Sequence, residues 1–359
     1  MNTLEPSSID EAQALMRGLQ QKVMFVGGGT QLGLGPAPEV LLRTTRLNRI
    51  VDYAPSDQVV TVEAGVTLQA LQQALHEHGQ RLSLDPPLPE RATLGGIVAA
   101  NSFGPLRARF GAVRDLIIGV SILRADGTRA KGGGRVVKTV AGFDLPKLMC
   151  GSLGTLGLIV TATFRVHPLP QSEVTLVARG VPTPGVFALV KAMRAAQLEP
   201  TAMVATRGGA SWEVAVRFEG FDAGVQQQRE KLRTLGPFEV SADPVWAAHA
   251  AQRTAGDVRL KVAALPSQLE QVAQAFSADF RLCWYPTLGL GFALRDGDCD
   301  LSAVRGALAA LGGSLTVEAA PAGHLTFGPP PDSLRVHQLM KARFDPQGLL
   351  APGRFIGGI

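Results

Sequence analysis

The sequence predicts an α+β fold in two units, and three observations predict it. At 359 residues the chain has room for two domains of about 150 residues each. Helical stripes and short apolar strands alternate along it, with no internal repeat. Many of its 41 glycines, 20 of them, cluster between residues 27 and 157 and their density falls beyond Pro170, so the character of the chain changes there. With 46% hydrophobic and 18% charged residues, intrinsic disorder, a coiled coil and a collagen-like repeat are all excluded.

The elements follow in order. Ser8 and Glu11 form a capping box ahead of the stripe Ile9, Ala12, Leu15, Met16 and Leu19, which predicts a first helix. Residues 23–26 are a short apolar run opening onto Gly27-Gly28-Gly29, the pattern of a buried strand entering a turn. Residues 41–43 and 59–63 read as further strands. Thr67 is placed to cap a helix that carries Leu68, Leu71 and Leu75 on one face, with Gly79 at its C-terminal end. Residues 84–111 are rich in Pro, Gly and small side chains and read as loop plus a tightly packed short helix. Residues 116–123 run into Asp126-Gly127, a hairpin turn signal. The strand at 158–166 is followed by Pro168 and Pro170, where the first domain ends.

Residues 1–170 therefore form one domain and 171–330 a smaller α+β domain, in which segments such as 186–196, 212–218 and 269–276 alternate between helix and strand. Pro329-Pro330-Pro331 is a stiff connector to a third segment, 331–359. That segment opens with the helical stripe Leu334, His337, Gln338, Met340 and Lys341, and Phe344-Asp345-Pro346-Gln347-Gly348 breaks it.

Charge and cysteine usage exclude several functions. The net charge is only +5, from 27 Arg and 8 Lys against 30 acidic residues, and no basic stripe marks a nucleic-acid surface. Cys150, Cys283 and Cys299 are far apart and form no CxxC, which argues against a disulfide framework or an iron–sulfur cluster in this chain. Glu5, Asp10 and Glu11 precede any apolar run, contrary to a secretory signal, and no run approaches 18 apolar residues. The expected location is cytoplasmic, with no membrane span. His76-Glu77-His78 is no metal site, since on a helix the two rings point to different faces.

Three glycine-rich segments carry the chemistry. Gly27-Gly28-Gly29-Thr30 after a strand lets backbone N–H groups converge on an anion, although a ligand-free turn has the same pattern. A dinucleotide fingerprint needs glycine where Leu32 stands, and no Gly-Lys-Ser/Thr follows for a phosphate loop. The second segment is Asp85-Pro86-Pro87 with Thr93-Leu94-Gly95-Gly96-Ile97, and the third is Gly151-Ser152-Leu153-Gly154-Thr155-Leu156-Gly157. Each alone could be packing; together they favour one extended ligand with a pyrophosphate and a large planar ring.

In order, Val26-Gly27-Gly28-Gly29-Thr30, Ala92-Thr93-Leu94-Gly95-Gly96, Arg109-Phe110-Gly111 with Asp115, the run from Val137 to Leu145, and Gly151 to Gly157 resemble the signatures of the vanillyl-alcohol-oxidase or PCMH-type FAD-binding family. The tail, with Phe344 to Gly348 and Pro352-Gly353-Arg354, is similar to that family's C-terminal signature. The short length and the run 138–148 are most similar to the small FAD-binding subunits of bacterial glycolate oxidases. The resemblance implies a PCMH-type FAD-binding domain of two α+β subdomains, a smaller α+β cap, and a tail returning to the FAD domain.

For the site it implies that Val26, Gly27, Gly28, Gly29, Thr30, Gln31 and Leu32 hold the pyrophosphate. Pro86, Thr93, Leu94, Gly95 and Gly96 would lie along the pyrophosphate and flavin edge. Asn101, Phe110, Gly111, Val113, Gly154, Thr155, Leu156, Gly157 and Ile159 would complete the cradle. Covalent members carry His where Thr30 stands, so FAD is expected to be non-covalent; Ala351 stands where the family has Asn.

The implied reaction is oxidation of a small 2-hydroxy acid, glycolate to glyoxylate, with a larger flavin subunit and an iron–sulfur subunit as partners. Such chemistry needs a base and a cation for the carboxylate. His324 is the candidate base, and Arg109 and Arg354 are the candidate cations for a carboxylate or flavin N1. An independent FAD-dependent dehydrogenase and a flavin-binding scaffold without turnover are the alternatives.

Overall fold

Ser8 accepts from the Glu11 N–H and starts the helix Ile9–Arg17, whose Ala12 and Met16 are fully buried. In the computed structural model, which describes residues 2–33, 39–134, 143–321 and 323–359, this helix joins two strands of one sheet. Val40–Arg43 is its central strand, parallel to Asn2–Leu4 on one side and Val23–Val26 on the other. Val23–Val26 and the first three residues of Val40–Arg43 are apolar on both faces, as covered parallel strands require. The tail adds to its open edge: Val23 N–H donates to Leu349 O, Ala351 N–H donates to Val23 O, and Leu350 pairs with Val23 in parallel.

A second, antiparallel sheet has the order Ile50–Ala54, Val59–Glu63, Leu158–Arg165, Ile117–Leu123, Arg129–Gly133. Asp126-Gly127 makes the predicted turn between its last two sequential strands, with Gly127 at φ 73°. The helices Leu68–His76 and Leu94–Ala100 bury their apolar stripes among Val60, Val62, Phe164 and Val120 of this sheet. Thr67 and Thr93 cap the two helices. Both sheets, with the helix Leu334–Phe344 and the tail, belong to one compact unit made of Met1–Gly104, Gly111–Leu169 and Pro329–Ile359.

The other unit is Pro105–Phe110 with Pro170–Gly328. It is an antiparallel eight-stranded sheet, ordered Glu239–Val240, Ser172–Val181, Ser211–Gly220, Ala202–Gly208, Arg281–Tyr285, Leu290–Arg295, Val258–Ala263, Ser314–Ala319. Helices Thr183–Ala195, Asp222–Arg233, Leu269–Gln274 and Ser302–Ala310 pack Val186, Val225, Val272 and Leu308 onto it. The sequence puts residues 105–110 in the first domain. In the structure their short helix lies against Ala202–Gly208, and Arg109 pairs with Glu199 at 2.9 Å.

Two strands of the first unit's two larger sheets escape the sequence reading. Asn2–Leu4 has only three residues, and Ile50–Ala54 lies at a sheet edge with Ile50 and Val51 exposed, so neither shows an apolar alternation. Of the motif from Val137 to Leu145, residues 137–142 lie outside the described residues; its end forms the N-cap Asp144 of the helix Leu145–Met149.

Candidate functional site

The glycine loop after Val23–Val26 forms one wall of a solvent-open cleft of about 710 Å³. Residues 25–32 face Thr93, Gly95, Gly96, Ala99 and Ala100 of the short helix, and Leu153, Gly154 and residues 157–159 close the third side. Thr44, Ala64 and Arg354 complete the lining. All of these belong to the first unit.

The glycines serve different ends. A Cβ on Gly27 would sit 1.9 Å from Thr93 Oγ1, and one on Gly28 only 1.7 Å from the Arg91 carbonyl oxygen. These two therefore let the loop lie directly on residues 91–93. The left-handed residue is Gly29, at φ 72°. Among the described residues, nothing accepts from the N–H groups of Gly27 to Gln31, which leaves a row of donors open to an anion. Gly95 packs on Ala64, where a Cβ would come within 2.6 Å of the Ala64 Cβ, and its N–H donates to Ala64 O. A Cβ on Gly96 would meet nothing closer than Thr93 Oγ1 at 3.2 Å, so only this glycine of the helix keeps the cleft itself open.

Ala64 is held in place by its neighbour. The buried Glu63 carboxylate accepts from the Arg49 N–H, Nε and Nη2 at 2.9, 3.1 and 2.7 Å. On the far side, Gly154 at φ 80° brings its backbone against the Phe25 ring.

Arg354 is the charged group of the cleft and is only 6% exposed. Its Nη2 donates to Gln31 O at 3.1 Å, its Nη1 lies on the Met24 sulfur, and its buried Nε has no partner among the described residues. Among the described residues no carboxylate pairs with it. Burial pulls its pKa down to about 10, which still leaves it cationic at neutral pH. Unpaired N–H donors and a desolvated guanidinium at one end, and apolar walls elsewhere, fit a ligand with an anionic middle and a flat apolar ring. A cofactor of the FAD type has those parts.

Of the residues named from sequence, Val26 to Leu32, Thr93, Gly95, Gly96, Gly154, Gly157, Ile159 and Arg354 line the cleft. The others do not. Leu94, Val113 and Leu156 point into the core, and Leu94 N–H is taken by Val66 O. Thr155 is buried and donates from Oγ1 to Ser152 O. Pro86, Asn101 and Gly111 stand outside the lining; Asn101 ends the short helix at φ 49°, and Gly111 packs on Asp115. Phe110 belongs to the second unit. The lining residues that the motifs miss, Phe25, Thr44, Ala64, Ala99 and Ala100, are ordinary core types that carry no signal of their own.

Two proposed catalytic residues are engaged elsewhere. His324 Nε2 is 2.6 Å from Asp298 Oδ1 at the surface of the second unit, a contact that lowers the pKa of Asp298. Arg109 forms the exposed ion pair with Glu199. Sequence reading also passed over a buried polar cluster in the second unit. Tyr285 OH lies 2.9 Å from His249 Nε2 and 3.3 Å from Arg253 Nη1. Arg253 also lies over the Phe292 ring at 3.7 Å. Desolvation, helped by Arg253, pushes the His249 pKa down to about 3, so the ring is neutral. Its members come from a helix and two strands, and no short motif joins them.

Comparison with known proteins adds the context. Residues 2–133 match the family model of an FAD binding domain. The glycolate oxidase subunit GlcE of Escherichia coli (strain K12) is 30% identical over 96% of this chain and 97% of its own length. A D-2-hydroxyglutarate dehydrogenase of Xanthomonas citri pv. viticola is 34% identical over 48% of this chain and 38% of its own. A D-lactate dehydrogenase of Archaeoglobus fulgidus is 33% identical over 50% of this chain and 41% of its own. The chain thus spans about two-fifths of the length of these two enzymes. Among solved structures, an alkyldihydroxyacetonephosphate synthase superposes with a TM-score of 0.73 over 98% of this chain and 76% of that one, at 16% identity. At that identity the likeness is one of fold.

Proposed function

The chain belongs to the family of the glycolate oxidase subunit GlcE, and from that premise we propose that it is the FAD-binding subunit of a glycolate oxidase complex. It is an FAD-binding oxidoreductase of the group that acts on 2-hydroxy acids. The full-length match to GlcE carries this reading over that of an independent dehydrogenase, since the dehydrogenases align with only half of the chain.

When bound, FAD supplies the two-electron acceptor for oxidation of the hydroxyl-bearing carbon. The chain's own part is to hold it. Gly27 to Gln31 would offer N–H donors, Gly96 would leave the space, and Ala99, Ala100 and Leu158 would supply apolar wall. Thr30 has no ring nitrogen with which to attach a flavin, so binding is non-covalent. The likeness to GlcE, itself a subunit, supports passage of electrons to partners, a larger flavin subunit and an iron–sulfur subunit. Among the described residues no helix is long and apolar enough to cross a membrane. The proposed location is cytoplasmic, with any membrane contact made through partners.

The test is anaerobic addition of glycolate to the chain purified together with its co-expressed partner subunits. Bleaching of the flavin band with formation of glyoxylate supports the reading. A folded, flavin-loaded complex that ignores glycolate and is reduced by a different 2-hydroxy acid refutes the substrate. Reduction of the isolated chain by glycolate favours the independent dehydrogenase.

A further inference from the structure

The C-terminal tail reaches the cleft through one side chain. Its strand segment is fixed to Val23 on both sides, by Val23 N–H to Leu349 O and by Ala351 N–H to Val23 O. Three residues on, Arg354 lies inside the cleft wall with its Nη2 on the carbonyl of Gln31. It therefore sits against the same loop whose N–H groups from Gly27 to Gln31 have no acceptor among the described residues.

A guanidinium this deep, 6% exposed and with no carboxylate beside it among the described residues, is costly unless something anionic meets it. Two of its nitrogens are used, by a carbonyl and by the Met24 sulfur; the buried Nε is not. The unsatisfied donors of the loop and Arg354, with its unsatisfied Nε, line one cleft. We propose that Arg354 is the cationic half of the site for the FAD pyrophosphate, so that the tail closes an anion site that the glycine loop only begins. The flavin N1 edge is the competing anionic target, and the two are separable because riboflavin has the ring without the phosphates and ADP the phosphates without the ring. The inference rests on FAD binding and makes no use of glycolate, so it stands or falls apart from the substrate assignment.

The experiment is equilibrium binding of FAD, ADP and riboflavin to the flavin-free chain, wild type against Arg354→Gln and Arg354→Lys. Arg354→Gln is expected to weaken FAD and ADP at least tenfold and riboflavin by less than twofold, with Arg354→Lys in between. The same loss for riboflavin with ADP unchanged would move Arg354 to the ring. Unchanged FAD and ADP affinity in a folded Arg354→Gln protein would overturn the proposal. Should the variant not fold, the arginine Nε–H signals of the 15N-labelled wild type decide. One buried signal is expected to shift on titration with inorganic pyrophosphate and with ADP and to stay fixed with riboflavin. No shift with either phosphate ligand would overturn the proposal equally.

Discussion

Tyr285 OH accepts from Arg253 Nη1 at 3.3 Å and shares a hydrogen bond with His249 Nε2 at 2.9 Å. Tyr285→Phe removes the partner of a buried nitrogen, and unfolding in urea should show a loss of about 1–3 kcal/mol. The histidine also sets a pH dependence. Its folded pKa of about 3 lies below its ordinary value of 6.5. The unfolded chain therefore binds the extra proton between those values, and stability is full above pH 6.5 and lost as pH falls. Between about pH 6 and 4.5 the slope for His249→Gln should be flatter than wild type by about 1.4 kcal/mol per pH unit. His167 is lowered as well, mainly by burial, and stays in both proteins, so the difference isolates His249. An equal slope in the two would refute the assignment. None of this was legible in the sequence, because the three residues converge only once the sheet has formed. Ala351 is different: it sits at φ 43°, a left-handed conformation that Asn tolerates better than Ala.

Among the elements, the short helix Leu94–Ala100 shows how one motif carries two jobs. Gly95→Ala would press a methyl to 2.6 Å from Ala64, and a fall in melting temperature with or without FAD is expected. Gly96→Val should fold, because its Cβ meets only Thr93 Oγ1, yet weaken FAD at least tenfold by titration, because it fills the cleft. Equal FAD affinity in Gly96→Val would remove this helix from the site. The tail is held by a similar economy of groups. The buried Asp345 accepts from Leu349 and Leu350 N–H at 3.0 and 2.8 Å and from Lys341 Nζ at 2.7 Å. Lys341 in turn donates to Thr155 O and Leu350 O. Asp345→Ala leaves a half-buried ammonium without its counter-charge, and a loss of about 3 kcal/mol is expected, together with weaker FAD binding as the tail detaches. Undiminished stability would show that the tail docks by its apolar contacts alone. The sequence announced both elements, the helix through Thr93-Leu94-Gly95-Gly96 and the tail through Phe344 to Arg354. Which glycine packs and which opens the cleft depends on Ala64, a residue with no motif.

For the whole molecule, the α+β character follows from patterns the sequence displays: capped helices and short apolar strands. The order of the eight-stranded sheet does not, since Ala202–Gly208 pairs with both a near neighbour and Arg281–Tyr285 far along the chain, and such pairing is decided by packing of distant apolar faces. Residues 105–110 likewise change unit through a contact with Ala202–Gly208 that no local signal encodes. The glycine-lined cleft was the most legible part, because close backbone approach demands glycine, and glycine is visible in a sequence. It is also the part most directly open to measurement. The purified chain should show flavin absorption at one FAD per chain, and acid precipitation should release all of it to the supernatant. A folded chain that carries no flavin and takes none up from added FAD would refute the assignment of the cleft, and flavin that stays with the precipitate would refute non-covalent binding.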